Sequence, residues 1–350
     1  MKIVLPVRDS LAMEFPDIMD ITYFDCGGLP IDLPCELVVF LLRGKGEKEN
    51  MFRKVLEYIK KPGKLYAYLA FKGCFNYLND KKYCEMLFQA ETGRRLDFSN
   101  PKSFNEKLNW LKLNDRKPIY TAMVDKIEGK KYIEKVLGGD STIVPTLKVW
   151  NSVKEIDISE LPEQFVLKTN HDSGGYVICK DKEQFDLEKA KKILQKSYQR
   201  NYYFFAREWP YNNVKKKVFA EKFLDMGEAL IDYKVMCFNG IPEIIQVNYV
   251  SEYRHTQDFY DINWKHLNIS QNFYAPTSDV RETKPEFLED MLKKSEALAK
   301  DTYFLRVDWF IAKGKLYNGE LTLYDGAGIM PYDDYDMDLN LGARIKLPVD

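Results

Sequence analysis

The sequence predicts an α+β protein with a helical lead-in, and three observations carry that expectation. Residues 51–113 space apolar side chains three and four apart, as in Phe52, Val55, Leu56 and Ile59 and again around Leu108, Trp110 and Leu111, which is the period of a helix. Asn239-Gly240 separates two β-rich runs, 231–238 and 241–250, and is among the strongest short-range hairpin signals. A second glycine turn, Lys313-Gly314-Lys315, separates the runs 303–311 and 315–324.

Taken in order, residues 1–50 mix short apolar runs with Pro6, Pro16, Pro30 and Pro34 and suit only short strands or an arm. In the lead-in, Lys54, Lys60, Lys61, Lys64 and Lys72 interleave with Tyr and Phe. A solvated amphipathic helix explains that pattern, and a face laid on a membrane surface is the alternative. Residues 120–137 read as one helix stopped by Gly138 and Gly139. A strand over 164–168, the turn Ser173-Gly174-Gly175 and a strand over 176–179 form a hairpin. A charged amphipathic helix over 185–198 follows, then a strand over 217–224 running into the polar connector 225–228, and a helix over 285–300.

The chain has 350 residues, and its 52 Lys plus Arg nearly cancel 53 Asp plus Glu for a net charge of -1. That length supports a large core, and the charge balance leaves no global basic field for a nucleic-acid backbone. The early apolar run over 37–42 is far short of the roughly 20 residues of a membrane-spanning helix. Arg8, Asp9 and Glu14 interrupt the place of a signal-peptide core, so a cytoplasmic location is expected, with the inner membrane surface as the alternative. Six cysteines without a CxxC pair, beside three histidines, read as reduced structural thiols and not as a zinc set.

Two constellations carry chemistry. A turn centred on Gly314 places Asp308 opposite Glu320 and Arg306 opposite Thr322. Alternation then puts Leu305, Val307, Trp309 and Ile311 on an apolar face with Leu321 and Leu323, and the four polar residues on the other. Facing carboxylates repel by roughly 0.2–1 kcal/mol, so a cation between them, with Mg²⁺ suited to oxygen ligands, accounts for keeping both. A solvated face neutralised by Arg306 is the competing explanation. The second constellation sets Lys168 at a strand end before Ser173, Gly174 and Gly175, whose backbone N–H groups can approach phosphate oxygens. An ordinary hairpin tip explains that turn equally well. Lys126, in the preceding helix, could reach the same phosphate.

Read in order, the stretches FNEKLNWLKL, VDKIEGKKYI, EQFVLKTNHDSGG, RNYYFFAREW, AEKFL, DYKVMCFNG, FYDINW, LRVDWF and GELTLYDGAGI resemble the ATP-grasp series. More narrowly, residues 51–347 are similar to the TupA-like branch, found with teichuronopeptide and capsular polysaccharide biosynthesis. The resemblance implies an ATP-grasp fold whose two α+β subdomains clasp ATP. Residues 51–160 would be a mostly helical N-terminal region, 161–224 the small lid subdomain, and 225–350 the C-terminal subdomain with the metal and substrate site. Residues 1–50 fall outside it as an extension of open role.

The resemblance further implies that Lys126 and Lys168 contact the α- and β-phosphates while Ser173, Gly174 and Gly175 close over the γ-phosphate. Glu221 and the backbone of Lys222, Phe223 and Leu224 would recognise adenine, and Glu228 the ribose. Asp308 and Glu320 would bind Mg²⁺, with Thr322 where many relatives have Asn, and Lys234 and Arg306 would stabilise the transferring phosphoryl group. For the substrate the candidates are Asn170, His171, Arg254, His255 and the turn of Asp325, Gly326, Ala327 and Gly328, with Arg200 and Arg207 as further anion contacts. The implied activity joins a uronic acid of a cell-surface polysaccharide, or its nucleotide-linked precursor, to an amino acid or small amino alcohol through an acyl phosphate. A phosphotransferase, or a non-catalytic nucleotide-binding partner of a glycosyltransferase, are the alternatives.

Overall fold

A computed structural model describes residues 62–139, 142–227, 229–271, 275–279 and 281–348. The chain divides into two units, Met1–Tyr68 and Leu69–Asp350. Of the first, residues 62–68 are described, as the opening turns of α1 (Pro62–Phe71). The arm expected over 1–50, together with Lys54, Lys60 and Lys61, lies outside the described residues. Among the described residues no helix is long and apolar enough to cross a membrane.

In the second unit the lead-in is helical, as α2 (Asp80–Thr92) and α3 (Phe104–Asn114). A capping box starts α3: Ser103 Oγ accepts the Glu106 N–H, and Glu106 accepts the Ser103 N–H in return. Each satisfies a donor the first turn would otherwise orphan, worth about 1 kcal/mol. Phe104, Leu108 and Leu111 of α3 enter the main core.

The single helix expected over 120–137 is two, α4 (Ile119–Val124) and α5 (Glu128–Leu137). Asp125 makes the break, because its Oδ1 accepts the N–H groups of Ile127 at 2.8 Å and Glu128 at 3.3 Å, competing with helix continuation. Lys126 is thereby freed from the ladder, and its N–H donates to the Asn170 carbonyl at 3.0 Å. Gly138, left-handed at φ 70, closes α5 as expected.

A four-stranded antiparallel sheet has the order β1-β4-β2-β3, from β1 (Thr146–Trp150), β2 (Phe165–Thr169), β3 (Tyr176–Cys179) and β4 (Val218–Lys222). One of its faces buries Trp150, Phe165, Leu167, Val218 and Ala220 together with Leu194 of α6 (Leu187–Gln199). A short α7 (Tyr203–Ala206) follows. The second sheet, also antiparallel, has the order β10-β9-β5-β6-β7-β8. Its strands are β5 (Ala229–Phe238), β6 (Ile241–Ser251), β7 (His255–Asp261), β8 (His266–Leu267), β9 (Phe304–Ala312) and β10 (Lys315–Thr322). Asn239 and Gly240 both hold positive φ, 49 and 85, which is what a two-residue turn between β5 and β6 demands. Helices α8 (Leu288–Ala299) and α9 (Tyr335–Arg344) complete the unit.

The β9–β10 hairpin reaches its expected pairing by a different route. Ala312 pairs with Lys315, so the turn is Lys313 and Gly314 alone, and an unbroken ladder would set Asp308 against Gly319. An irregularity at Gly319 absorbs one residue and makes Asp308 the partner of Glu320 and Arg306 that of Thr322. Leu305, Val307, Trp309, Leu321 and Leu323 form the apolar side, with Ile311 partly buried against it. The opposite side is not solvated throughout, since Arg306 and Asp308 are both buried.

Candidate functional site

Arg306 organises the six-stranded sheet's polar side. Its Nε and one terminal nitrogen donate to the two oxygens of Asp308, both at 2.7 Å, and its other terminal nitrogen donates to Asp325. The same fork reaches Thr322 Oγ1 at 3.2 Å and Glu320 Oε1 at 3.6 Å. From β5, Lys234 pairs in register with Asp308 and sets its ammonium 3.7 Å from Oδ2. Lys126, carried by the α4–α5 break, lies 3.4 Å from Glu320 Oε2. Desolvation would raise the Glu320 carboxyl, but Lys126, Arg306 and Lys234 outweigh it and hold the group well below the usual carboxylate range.

These donors fit a hard cation. Among the described residues no three acidic, His or Cys side chains gather, so Asp308 and Glu320 would supply the protein ligands and phosphate oxygens and water the rest, an arrangement common for Mg²⁺. Among the described residues Glu320, 44% exposed, is held only by the long contacts above, and each Asp308 oxygen spends one of its lone pairs on Arg306. Thr322 spends its hydroxyl on Arg306.

On the four-stranded sheet, buried Glu221 accepts ion pairs from Lys168 and, at 2.9 Å, from Lys130. Burial would raise its carboxyl, and the two lysines reverse that and lower it. Strand alternation puts Val149, Val166, Tyr176 and Ile178 on the same side as Lys168 and Glu221, away from α6. Val149, Tyr176 and Ile178 are exposed there, so an apolar platform surrounds the charges. The chain links the two groups over a short stretch, with Lys126 in the α4–α5 break and Lys130 in the first turn of α5.

The Ser173-Gly174-Gly175 turn connects β2 to β3, with Gly174 left-handed at φ 80. Its base is tied by buried Asp172, which accepts the Ser173 N–H at 2.9 Å and the Ser197 hydroxyl at 2.6 Å, while Ser197 and Thr169 share a 2.7 Å bond. A methyl on Gly175 would overlap Ser197 Oγ and Thr169 Oγ1. Gly175→Ala is therefore expected to cost about 1–3 kcal/mol by overpacking. Scanning calorimetry checks it, and an unchanged midpoint would mean that the base of the turn yields freely.

The turn after β10 is unusual, because Gly326, Ala327 and Gly328 are left-handed in succession, φ 52, 52 and 62. Helix α3 holds it: Asn109 donates to the Gly328 carbonyl and buried Lys112 to the Ala327 carbonyl, both at 2.6 Å. Asp325, at its start, locks onto Arg306. The FNEKLNWLKL stretch thus builds the wall behind the expected substrate loop.

Several expected substrate residues are engaged elsewhere. Asn170, 0% exposed, donates to Asp125 at 2.9 Å and accepts from the Lys217 N–H at 2.7 Å. It ties β2 to the α4–α5 break and presents nothing outward. His171, 1% exposed, sets Nε2 3.2 Å from the Arg200 carbonyl, and burial lowers its pKa. Arg207 is no anion contact, since it is buried and donates to the carbonyls of Phe75, Asn76 and Leu78. Arg200 pairs with Asp172 at 3.3 Å. Arg254 bonds Ser278 and Glu282, and with His255 it lies at the β6–β7 turn, two strands beyond β5 from β9. The Lys222 N–H is spent on the Pro145 carbonyl, Phe223 and Leu224 follow β4, and Glu228 lies outside the described residues.

Lys130 and Asp232 join these groups, although neither is among the candidate residues named from the sequence. Lys130 follows Lys126 by four residues, a helical spacing that could have flagged it. Asp232 sits two residues before Lys234 on β5, and burial raises its carboxyl, with Lys234 opposing and Asp308 adding to the rise.

Comparison with known proteins adds the following. The family described as TupA-like ATPgrasp matches residues 106–346. No curated protein matches. Among solved structures, D-alanine-D-alanine ligase from Helicobacter pylori is 14% identical over 71% of this chain and 70% of its own, with a TM-score of 0.41. L-amino acid ligase from Bacillus licheniformis is 14% identical over 65% and 50%, TM-score 0.40. N5-carboxyaminoimidazole synthetase from Staphylococcus aureus is 15% identical over 65% and 53%, TM-score 0.37, so this chain spans about half of that protein's length.

Proposed function

This chain belongs to the TupA-like ATP-grasp family, and from that membership we propose an ATP-dependent carboxylate–amine ligase. Its acid substrate is a uronic acid of a cell-surface polysaccharide or a nucleotide-linked uronate, and its amine an amino acid or small amino alcohol. The observation that carries the reading is the pairing of Lys126 with Glu320 of the Arg306–Asp308–Glu320 group, four residues before Lys130 of the Lys168–Glu221–Lys130 group.

In this reading the apolar platform of Val149, Val166 and Ile178 receives the nucleotide base, and Lys168, Lys130 and Lys126 follow its phosphates. Lys234 and Arg306 meet the end where charge develops during transfer. Asp308 and Glu320 would hold Mg²⁺, which supplies charge neutralisation at the phosphates. The substrate carboxylate attacks the γ-phosphorus as the bond to ADP breaks, and an amine then displaces phosphate from the acyl carbon. No protein nucleophile is needed, because alignment and charge carry this chemistry.

³¹P NMR with Mg²⁺-ATP, nucleotide-linked uronates and amines, added singly and together, tests the reading. ADP and phosphate that accumulate only with both substrates are expected. A phosphorylated product without free phosphate would make the protein a phosphotransferase, and no turnover with any pair would rule out a nucleotide-linked uronate as the acid and leave a polymeric acceptor or a binding role.

A further inference from the structure

Glu208 stands where α7 ends and a 3-10 turn, Trp209–Asn213, begins. Its placement is enforced. The preceding Arg207 holds φ 59, a conformation costing a non-glycine residue about 1–3 kcal/mol. Its guanidinium is fixed by three carbonyls and lies 4.2 Å over the Tyr83 ring. Tyr83 in turn donates to the carbonyls of Phe204 and Phe205, and Lys112 donates to that of Ala206.

The residue so placed is 6% exposed, yet its carboxylate makes no hydrogen bond or ion pair among the described residues. Its oxygens are not among the side-chain atoms that are both closed to solvent and without a partner, so the carboxylate uses what exposure the residue has and is open to a partner from outside the chain. The charges that act on it are those of Lys112 from α3, Glu320 from β10 and Arg306 from β9, and its own charge acts on the phenols of Tyr202, Tyr211 and Tyr324. Lys112 cannot serve as that partner, because its donors go to Asn109, Ala206 and Ala327. Tyr202 also lies beside Ser173 of the glycine turn, so the carboxylate sits at the phosphoryl end of the site and not at the base end.

We propose that Glu208 is the binding group for the acceptor amine, taking its ammonium beside the Tyr202–Tyr211 ring pair and accepting the proton the amine must lose before attack. The proposal rests on the ligase reading. The ammonium gives one proton to Glu208, and the neutral nitrogen forms the C–N bond to the acyl carbon. The C–O bond to phosphate breaks, and its electron pair and the second nitrogen proton leave with phosphate. Burial pushes the Glu208 carboxyl up to about 7, Lys112 and Arg306 opposing and Glu320 adding to the rise, so the group is basic enough to take a proton near neutrality.

Two measurements on the full chain and its Glu208→Gln variant test this. In calorimetry, with Mg²⁺ and a non-hydrolysable ATP analogue present, ethanolamine is expected to bind wild type at least tenfold more tightly than the variant. Equal affinities, or no binding to wild type, would overturn the proposal. In turnover with nucleotide-linked uronates, ethanolamine competes with hydroxylamine, which is neutral at pH 7 and traps an acyl phosphate without needing an ammonium site. The ratio of ethanolamide to hydroxamate should fall at least tenfold in the variant, and an unchanged ratio counts against it. Were wild type to form no hydroxamate while the affinity difference persisted, the ligase reading would fall and the ammonium site would stand.

Discussion

Arg306→Met is expected to abolish turnover and to lower the unfolding free energy by about 3–5 kcal/mol, the scale for removing one partner of a buried ion pair. The magnitude follows from what the guanidinium neutralises. Asp308 takes two of its donors in a bidentate pair, and Asp325 takes a third, and all three residues are buried. Methionine fills a similar volume but leaves two buried carboxylates, with only Lys234 among the described residues, at 3.7 Å, paired with one of them. The turn of Gly326 to Gly328 would lose the anchor at its start as well. Urea denaturation separates the two effects from loss of chemistry alone, and a variant within 1 kcal/mol of wild type would show that the triad is solvated. Arg306→Lys should recover part of the stability and little of the turnover, because an ammonium cannot reproduce the fork.

The features legible in the sequence were those written in neighbouring residues. Asn239-Gly240 and Lys313-Gly314 fix their turns through local backbone preference, and the strands beside them alternate as their side chains dictate. The pairing of Asp308 with Glu320 was legible too, although for an incomplete reason, since the irregularity at Gly319 supplies the residue that a three-residue turn had been expected to supply. The helix break at Asp125 was not, because apolar periodicity runs through it and Asn170, 45 residues on, adds to Asp125's local bonds in holding the broken form. Tertiary partners likewise decide the fate of Arg207 and Lys112, whose carbonyl acceptors lie across the chain at Phe75 to Leu78 and at Ala327. Nothing local distinguishes a buried lysine from a solvated one on an amphipathic helix.

Lys168→Ala is expected to weaken binding of Mg²⁺ with a non-hydrolysable ATP analogue by about tenfold to a hundredfold, the worth of one charge-assisted hydrogen bond of roughly 1.5–3 kcal/mol. Lys168 is the more exposed of the two lysines on Glu221, 31% against 18% for Lys130, and the apolar platform surrounds it. Equal affinities in calorimetry would place the phosphates elsewhere. The variant carries a second signature in its stability. Lys168 and Lys130 hold the Glu221 carboxyl below its unfolded value, so their contribution is present at neutral pH and is lost as pH falls through the lowered folded value. With Lys168 gone, burial is opposed by Lys130 alone and that contribution shrinks. Wild type should exceed Lys168→Ala in stability at pH 7 and converge on it in acid, whereas a difference independent of pH would mean that the lysine stabilises through its aliphatic stem and not through Glu221.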